Sequence, residues 1–334
     1  MILIFLLLVV SLFAQEDVPG KDIVLASKQI YLSECPDAFN PSLLKTEEGF
    51  LLIFRFCPDR IRKSHVSYIG VVSLNESFDP ISKPQLLSVR RPNSKTSSQS
   101  EDPRIFSYRG RNFIVFNDNI EIESPAVGER RDMYLTELLQ SQGRFSLSSP
   151  VKLVYDKKYN TQWWQKNWVP FEWNKKLLLV YTIDPHEIIS PNLTNGKCYP
   201  AYETEMELDW EWGVLRGSTP ALLVDGEYLS FFHSGLKTAT EASWGRELWH
   251  YFMGAYTFSP EPPFNITKIT PLPIIGEGFY TISYHEKRVI FPGGYVVSDP
   301  YIYVAYGKDD NEMWIATIDK AALQKFLKPV QGEK

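Results

Sequence analysis

Cysteine is scarce in this chain: 334 residues carry three, Cys35, Cys57 and Cys198. At most one intramolecular disulfide can form, so a disulfide-stapled scaffold is excluded. Cys35 and Cys57 share a Cys-Pro-Asp context and flank one apolar hairpin; a bridge between them and three free thiols are both open readings. Strong net charge is missing too. Thirty-five basic against 40 acidic residues leave −5, and no basic tract is long enough to follow a polyanion, so no nucleic acid is expected and partners should be neutral or small. No apolar run reaches the roughly 18 residues of a transmembrane helix. The longest, residues 2–13, leads into Ala14-Gln15-Glu16-Asp17. It suits the h-region of a secretory signal over residues 1–14, with retention in a membrane by the uncleaved segment as the alternative. HExxH, paired CxxC, Gly-Lys-Ser phosphate-loop and GxSxG patterns are also absent. Zinc-hydrolase, nucleotide-driven and serine-esterase chemistries therefore lose their signatures, and no metal or organic cofactor is implied.

What the chain has in quantity is strand and turn patterning. A polar cluster, a proline and two apolar runs joined by a turn recur five times, around Pro41, Pro103, Pro170, Pro220 and Pro292. Turn formers separate the runs, as Glu48-Gly49, Arg109-Gly110, Asn174-Lys175, Asp225-Gly226 and Asp299-Pro300, which is the signature of a β-hairpin. The prolines stand 50 to 72 residues apart, enough for several strands per copy. The pattern predicts an all-β fold, a single five-bladed β-propeller over residues 22–330 with long loops on one face. A strand within 22–32 precedes the first copy and is expected to complete the last blade, removing an exposed edge. Outer strands are expected at 68–74 and 85–89, 133–138 and 151–155, 251–258 and 268–274, and 313–318, with a short helix at 320–327. Between 202 and 212, Tyr202, Thr204, Met206, Leu208, Trp210 and Trp212 alternate with Glu203, Glu205, Glu207, Asp209 and Glu211. That period of two predicts one strand whose acidic face is solvated rather than a cation site.

The innermost strand of each propeller blade starts near one mouth of the central channel, so the residues just before the five prolines should converge there. They are Asn40, Asp102 with Glu101, Asn167 with Lys166, Arg216 with Ser218 and Thr219, and Phe291. His233, at the end of an inner hairpin, is the histidine placed to face the channel. A polar ring of this kind is where a small ligand would sit. The structural alternative is that Asp102 starts a turn before Pro103 and pairs with Arg104 to fix the blade. Eight of the nine tryptophans lie between Trp163 and Trp249, which suits stacking on sugar rings and equally suits a propeller core.

Six motifs in order, Phe39-Asn40-Pro41, Glu101-Asp102-Pro103-Arg104-Ile105, Lys166-Asn167-Trp168-Val169-Pro170-Phe171, Phe232-His233-Ser234-Gly235, Ile290-Phe291-Pro292-Gly293-Gly294 and Tyr306-Gly307-Lys308-Asp309-Asp310, cover the chain from 39 to 310. This series resembles glycoside hydrolase family 130, the inverting β-mannoside phosphorylases and their hydrolytic relatives. The resemblance implies a five-bladed propeller with Asp102 as general acid. It further implies phosphate held by Lys166, Arg216 and His233, and sugar contacted by Asn40, Arg104, Asn167 and Asp310. It points to an oligosaccharide or glycoside substrate, inorganic phosphate as co-substrate, and cleavage or formation of a β-mannosidic bond with inversion, by phosphorolysis. Hydrolysis, glycosyl transfer and sugar binding without catalysis are the alternatives. The chain departs from the family pattern where Lys166 replaces the more frequent Arg and where Ser234 interrupts the His-Gly pair. His186 stands roughly where a second phosphate-binding Arg would be. Since neighbours on a strand face opposite ways, Glu101 is expected to turn toward backbone or Arg104, leaving Asp102 alone in the channel.

Overall fold

The computed structural model describes residues 20, 22–63, 66–90, 97–119, 131–156, 164–283 and 285–333; the signal segment expected at 1–14 lies outside them. After β1 (Val24–Ile30), four antiparallel strands form a first sheet, β2 (Phe39–Thr46), β3 (Gly49–Phe56), β4 (Tyr68–Leu74) and β5 (Gln85–Leu87), hydrogen-bonded in chain order. A second unit contains β6 (Glu101–Tyr108), β7 (Arg111–Asp118), β8 (Asp132–Ser141), β9 (Arg144–Leu147) and β10 (Val151–Leu153), and a third β11 (Val169–Trp173), β12 (Lys176–Thr182), β13 (His186–Pro191) and β14 (Cys198–Thr204). After β15 (Met206–Glu207), a fourth unit is built from β16 (Val214–Gly217), β17 (Leu222–Val224), β18 (Glu227–Ala239), β19 (Glu247–Phe258) and β20 (Ile266–Ile269). The fifth holds β21 (Lys287–Ser298), β22 (Tyr301–Lys308) and β23 (Glu312–Asp319), and β1 pairs antiparallel with β23 from Val24↔Ile318 to Ile30↔Met313. The chain ends in α1 (Lys320–Phe326), β24 (Lys328–Pro329) and β25 (Gln331–Glu333). The N-terminal strand thus completes the last sheet, as the edge argument requires. Among the described residues no helix is long and apolar enough to cross a membrane.

The turns obey their chemistry. Arg109-Gly110, Asn174-Lys175 and Asp225-Gly226 all have positive φ at both positions and close two-residue hairpins at Tyr108↔Arg111, Trp173↔Lys176 and Val224↔Glu227, the turn whose twist matches that of the strands. Three of the five repeat prolines lie at register breaks. Two residues, Asn40-Pro41 or Asp102-Pro103, stand where the partner strand spends one, and Gly293 is the extra residue beside Pro292. Proline cannot donate to a ladder, and a bulge removes the need.

Five apolar clusters fill the spaces between successive units. One joins the first and second units through Leu51, Ile53, Ile105 and Phe116. The next three join second to third, third to fourth and fourth to fifth. The last joins fifth to first, with Val296, Ala305 and Ile315 against Leu43, Leu52 and Phe54. Leu323, Phe326 and Leu327 seal the fourth-to-fifth cluster.

Four strand expectations need correction. The strand over 202–212 stops at Thr204, because its partner β13 begins at His186, opposite Thr204. Beyond it only Met206–Glu207 pair, with β25. The alternation survives without the ladder: Tyr202, Met206, Leu208 and Trp210 pack on the third-to-fourth cluster while Glu203, Glu205, Glu207, Asp209 and Glu211 are exposed. The outermost strands expected at 85–89, 151–155 and 268–274 are shorter, at Gln85–Leu87, Val151–Leu153 and Ile266–Ile269. The fourth and fifth units are also joined by a parallel contact of Trp249–Tyr251 with Lys287–Val289, which the repeat pattern does not foretell.

Candidate active site

The two bulges on β2 and β6 face each other and build the centre of the site. Asn40 and Asp102 each take a left-handed backbone, φ 48° and 50°, a conformation that Asn and Asp tolerate better than other side-chain-bearing residues. Both are buried, and Asn40 Nδ2 donates to Asp102 Oδ1 at 2.8 Å. From β3, Arg55 spans the acidic pair, with one nitrogen 2.8 Å from Glu101 Oε1 and the other 3.5 Å from Asp102 Oδ1. Glu101 therefore does not turn away to backbone or Arg104. The bulge breaks the alternation that would have sent it to the opposite face, and Lys166 at 2.7 Å and Arg131 at 3.3 Å complete its ring of cations. Burial opposes ionisation of Glu101, yet Arg55, Lys166 and Arg131 outweigh it and hold the carboxyl far below its ordinary range.

Arg104 is fully buried and also departs from expectation. It reaches the backbone oxygen of Asp102 at 3.4 Å rather than its carboxylate, and donates to Asn167 Oδ1 at 2.9 Å and Gly217 O at 3.5 Å. Its guanidinium carbon lies 5.6 Å from the centre of the Phe291 ring. Burial pulls it down to about 10, with Asp102 opposing. Gly217 has to be glycine: a Cβ there would lie 2.4 Å from the Asn167 carbonyl oxygen. This close approach seats Lys166 and Asn167 beside Arg216, on the wall of a cavity of about 490 Å³ that also touches Trp164 and Trp168.

His233 stands opposite Arg216 in the β16–β18 ladder, its ring 4.7 Å from Phe291 and its Nδ1 2.6 Å from Ser218 Oγ. Burial, then the charges of Arg104, Arg216 and Lys166, push it well below its ordinary value. It stays neutral, and those same charges mark three cations gathered around it. Asp310 enters from the turn after β22, where Asp309 and Asp310 both have positive φ. Lys287 Nζ lies 3.9 Å from its carboxylate and Arg60 donates to its backbone oxygen. Burial raises the Asp310 carboxyl, Lys287 and Arg55 draw it back, and the Asp102 charge adds to the rise.

The fold has thus brought Asn40, Asp102, Arg104, Lys166, Asn167, Arg216, His233 and Asp310 into one neighbourhood. The family model described as beta-1,4-mannooligosaccharide phosphorylase, glycoside hydrolase family 130, matches residues 15–329. The chain belongs to this family. It is an enzyme of glycoside chemistry. No curated protein matches the sequence. Among solved structures, the β-1,2-mannobiose phosphorylase of Listeria innocua is similar at 16% identity and TM-score 0.58, over 93% of this chain and 97% of that one. A mannose phosphorylase of Leishmania mexicana in complex with phosphate is similar at 12% identity and TM-score 0.57, covering 93% and 92%. A GDP-mannose-dependent mannosyltransferase of the same organism follows at 11% identity and TM-score 0.55, covering 89% and 91%. At these identities the likeness is one of fold.

Some residues of the candidate site escape the motif reading. Arg55 is the most central of them, and its signal was a lone charge inside the apolar run Gly49–Phe56. Arg60, whose guanidinium like that of Arg55 lies 5.0 Å from the centre of the Phe39 ring, gave no signal of its own. Ser218 was read as a mouth residue without its partner His233. In the other direction, His186 is withdrawn from the site. It is buried in the third-to-fourth core, bonded through Nδ1 to Phe264 O at 2.8 Å and packed 5.0 Å from the Phe258 ring, where burial lowers it to about 4. No disulfide joins any two of Cys35, Cys57 and Cys198, and all three are buried.

Proposed function

We propose that the five units close into one five-bladed β-propeller over residues 22–330 and that its channel mouth phosphorolyses a β-mannosidic bond with inversion. Closure is supported by the core that joins the fifth unit to the first, and by Gly293 and Gly294. A Cβ on either would meet Pro41 O at 2.1 Å or Ser42 Oγ at 2.2 Å, so the first strands of those two units touch backbone to backbone.

The observation that carries the chemistry is an excess of positive charge inside a chain of net charge −5. Arg55, Arg104, Arg131 and Lys166 gather around Glu101 and Asp102, Arg216 stands opposite His233, and Asp310 is the third carboxylate; among the described residues Arg216 forms no ion pair. Buried or half-buried cations without counterions are costly, and a bound anion removes the cost. Inorganic phosphate fits, held by Lys166, Arg216 and neutral His233. Arg55 Nε, Arg104 Nε and Asn40 Oδ1 are buried with no protein partner, which leaves hydrogen-bonding capacity for a sugar. In the proposed step a phosphate oxygen forms a bond to the anomeric carbon while the glycosidic C–O bond breaks on the opposite face. The leaving oxygen takes a proton from Asp102, directly or through a sugar hydroxyl. A phosphorylase needs no carboxylate base because its nucleophile is already an anion.

Hydrolysis is the second reading, favoured by Asp310. Its buried carboxyl feels the charge of Asp102, the pairing of two carboxylates that an inverting hydrolase uses. Incubating the protein with β-1,2- and β-1,4-mannobiose, with and without phosphate, separates the readings. Mannose 1-phosphate formed only with phosphate supports phosphorolysis; free mannose at equal rate in phosphate-free buffer refutes it. Residues 1–14 are proposed to route the chain to the secretory pathway, which N-terminal sequencing of the mature protein checks.

A further inference from the structure

His233 is carried on β18 and held there by two serines in different ways. Ser234, the residue that interrupts the His-Gly pair, donates to Trp212 O at 2.7 Å. Next to this bond Gly213 packs so closely that a Cβ on it would lie 2.2 Å from Gly235 O. The backbone that follows the histidine is thereby clamped to the chain entering β16. Ser218, just past the end of β16, holds the ring itself: its Oγ lies 2.6 Å from His233 Nδ1, and both side chains are buried. The backbone of Ser218 is fixed from either side. Gly217 stands opposite Phe232 in the ladder, and Thr219 donates its N–H to Phe231 O while its Oγ1 accepts from the Phe231 N–H.

A hydroxyl can give or take a hydrogen bond, and a neutral imidazole has one nitrogen of each kind. Which way this contact runs is decided by what else the two groups can reach. Among the described residues the contact with Nδ1 is the one hydrogen bond that Ser218 Oγ makes, and His233 Nε2 makes none to the protein. With the proton on Nδ1, the Ser218 hydroxyl would have to accept it, and its own proton would be buried without an acceptor, which is costly. With the hydroxyl donating instead, Nδ1 is the acceptor and the proton of the neutral ring stands on Nε2. Toward the site the ring is then a donor only, like Arg216 across the ladder and Lys166, whose charges it feels. A bare lone pair at that position would repel an oxyanion; an N–H attracts it.

We propose that Ser218 is a positioning residue, whose hydroxyl fixes His233 in the tautomer with its proton on Nε2 and so makes the imidazole an obligate donor to the bound oxyanion. The proposal rests on the reading of Lys166, Arg216 and His233 as a phosphate site, but its first test uses no phosphate. Long-range proton-nitrogen correlation spectra of protein carrying isotope-labelled histidine report the protonation of each ring nitrogen, and His233→Gln identifies the His233 signals by their loss. In the unliganded wild-type protein Nδ1 should resonate as a bare nitrogen and Nε2 as a protonated one. In Ser218→Ala both signals should move toward those of a ring exchanging between tautomers. Ser218→Thr, which keeps the hydroxyl, should restore them, with near-ultraviolet circular dichroism confirming the fold of each variant. Calorimetric titration with inorganic phosphate should then show about three- to tenfold weaker binding to Ser218→Ala than to wild type. A proton on Nδ1 or on both nitrogens of the wild-type ring, a spectrum unchanged by Ser218→Ala, or phosphate bound equally well by that variant would overturn the proposal. The expected tautomer, lost in Ser218→Ala, in a protein that binds no phosphate would uphold Ser218 as the residue that fixes the ring and defeat the phosphate reading alone.

Discussion

Glu101→Gln isolates the charge at the heart of the site while keeping its shape. Glu101 is 6% exposed and pairs with Arg55 at 2.8 Å, Lys166 at 2.7 Å and Arg131 at 3.3 Å. The amide removes the negative charge that these cations share and leaves them repelling one another where water is scarce. Breaking a buried ion pair by removing one partner costs about 3 to 5 kcal/mol. Lys166 is partly exposed and can swing toward solvent, which places the expected loss near the lower end, about 3 kcal/mol. For a chain of this size each kcal/mol moves the midpoint by about 1.5 °C, so Tm should fall by roughly 4 to 5 °C.

The pH dependence gives a second handle on the same substitution. The folded carboxyl is held below its unfolded value of about 4.3, so its contribution is fully present above that pH. It is lost as pH falls toward the folded value, because the unfolded chain takes up the proton first. Urea unfolding of wild type and variant from pH 7 down to pH 3 should therefore show a stability gap that is constant at neutral pH and narrows below about pH 4.5. A gap under about 1 kcal/mol at pH 7, or one that does not narrow on acidification, would refute the reasoning that Glu101 is the ionised counter-charge of this cluster.

Three further outcomes are expected. Asp102→Asn should fold and bind sugar but lose about 10² to 10⁴ in turnover on a mannoside substrate, as loss of a general acid does; near-wild-type turnover in steady-state assays would remove Asp102 from that role. Arg216→Ala should raise KM for phosphate at least about tenfold, the share of one charge-assisted contact, and raise KM for the sugar much less. Gly294→Ala should destabilise by about 1 to 3 kcal/mol or more, since its Cβ would sit 2.2 Å from Ser42 Oγ and 2.8 Å from Leu43 N, read by chemical denaturation.

The hairpins were legible because two local signals agree at each of them, an apolar run of strand length and a turn whose residues accept positive φ. Arg109-Gly110 and Asp225-Gly226 state their backbone conformation in their composition. The proximity of Asn40 and Asp102, 62 residues apart, was legible for a different reason: equivalent positions in a repeat converge when the repeats share an axis. The parallel joint between Trp249–Tyr251 and Lys287–Val289 follows from neither signal. It depends on how far a hairpin overshoots its sheet, which strand periodicity does not encode.

The direction of side chains at the bulges was the part sequence reasoning lost, and Glu101 shows why. Strict alternation assigns neighbours to opposite faces, and on that rule Glu101 and Asp102 cannot share a cation. One left-handed residue, Asp102 at φ 50°, re-aims the chain so that Arg55 touches both. The motif Glu-Asp-Pro-Arg contains the signs of a bulge, an acidic residue able to adopt positive φ followed by a proline unable to donate. Arg55 is the counterpart on the other strand, a single guanidinium in Gly49–Phe56, a segment otherwise almost entirely apolar. A charge in such a run has to find an acid across the core or leave a costly buried cation. The nearest acids in the repeat frame are those of the neighbouring copy's bulge. Lone charges on inner hairpins and bulge-forming Asp-Pro or Asn-Pro steps are therefore to be read together, as the two halves of one site.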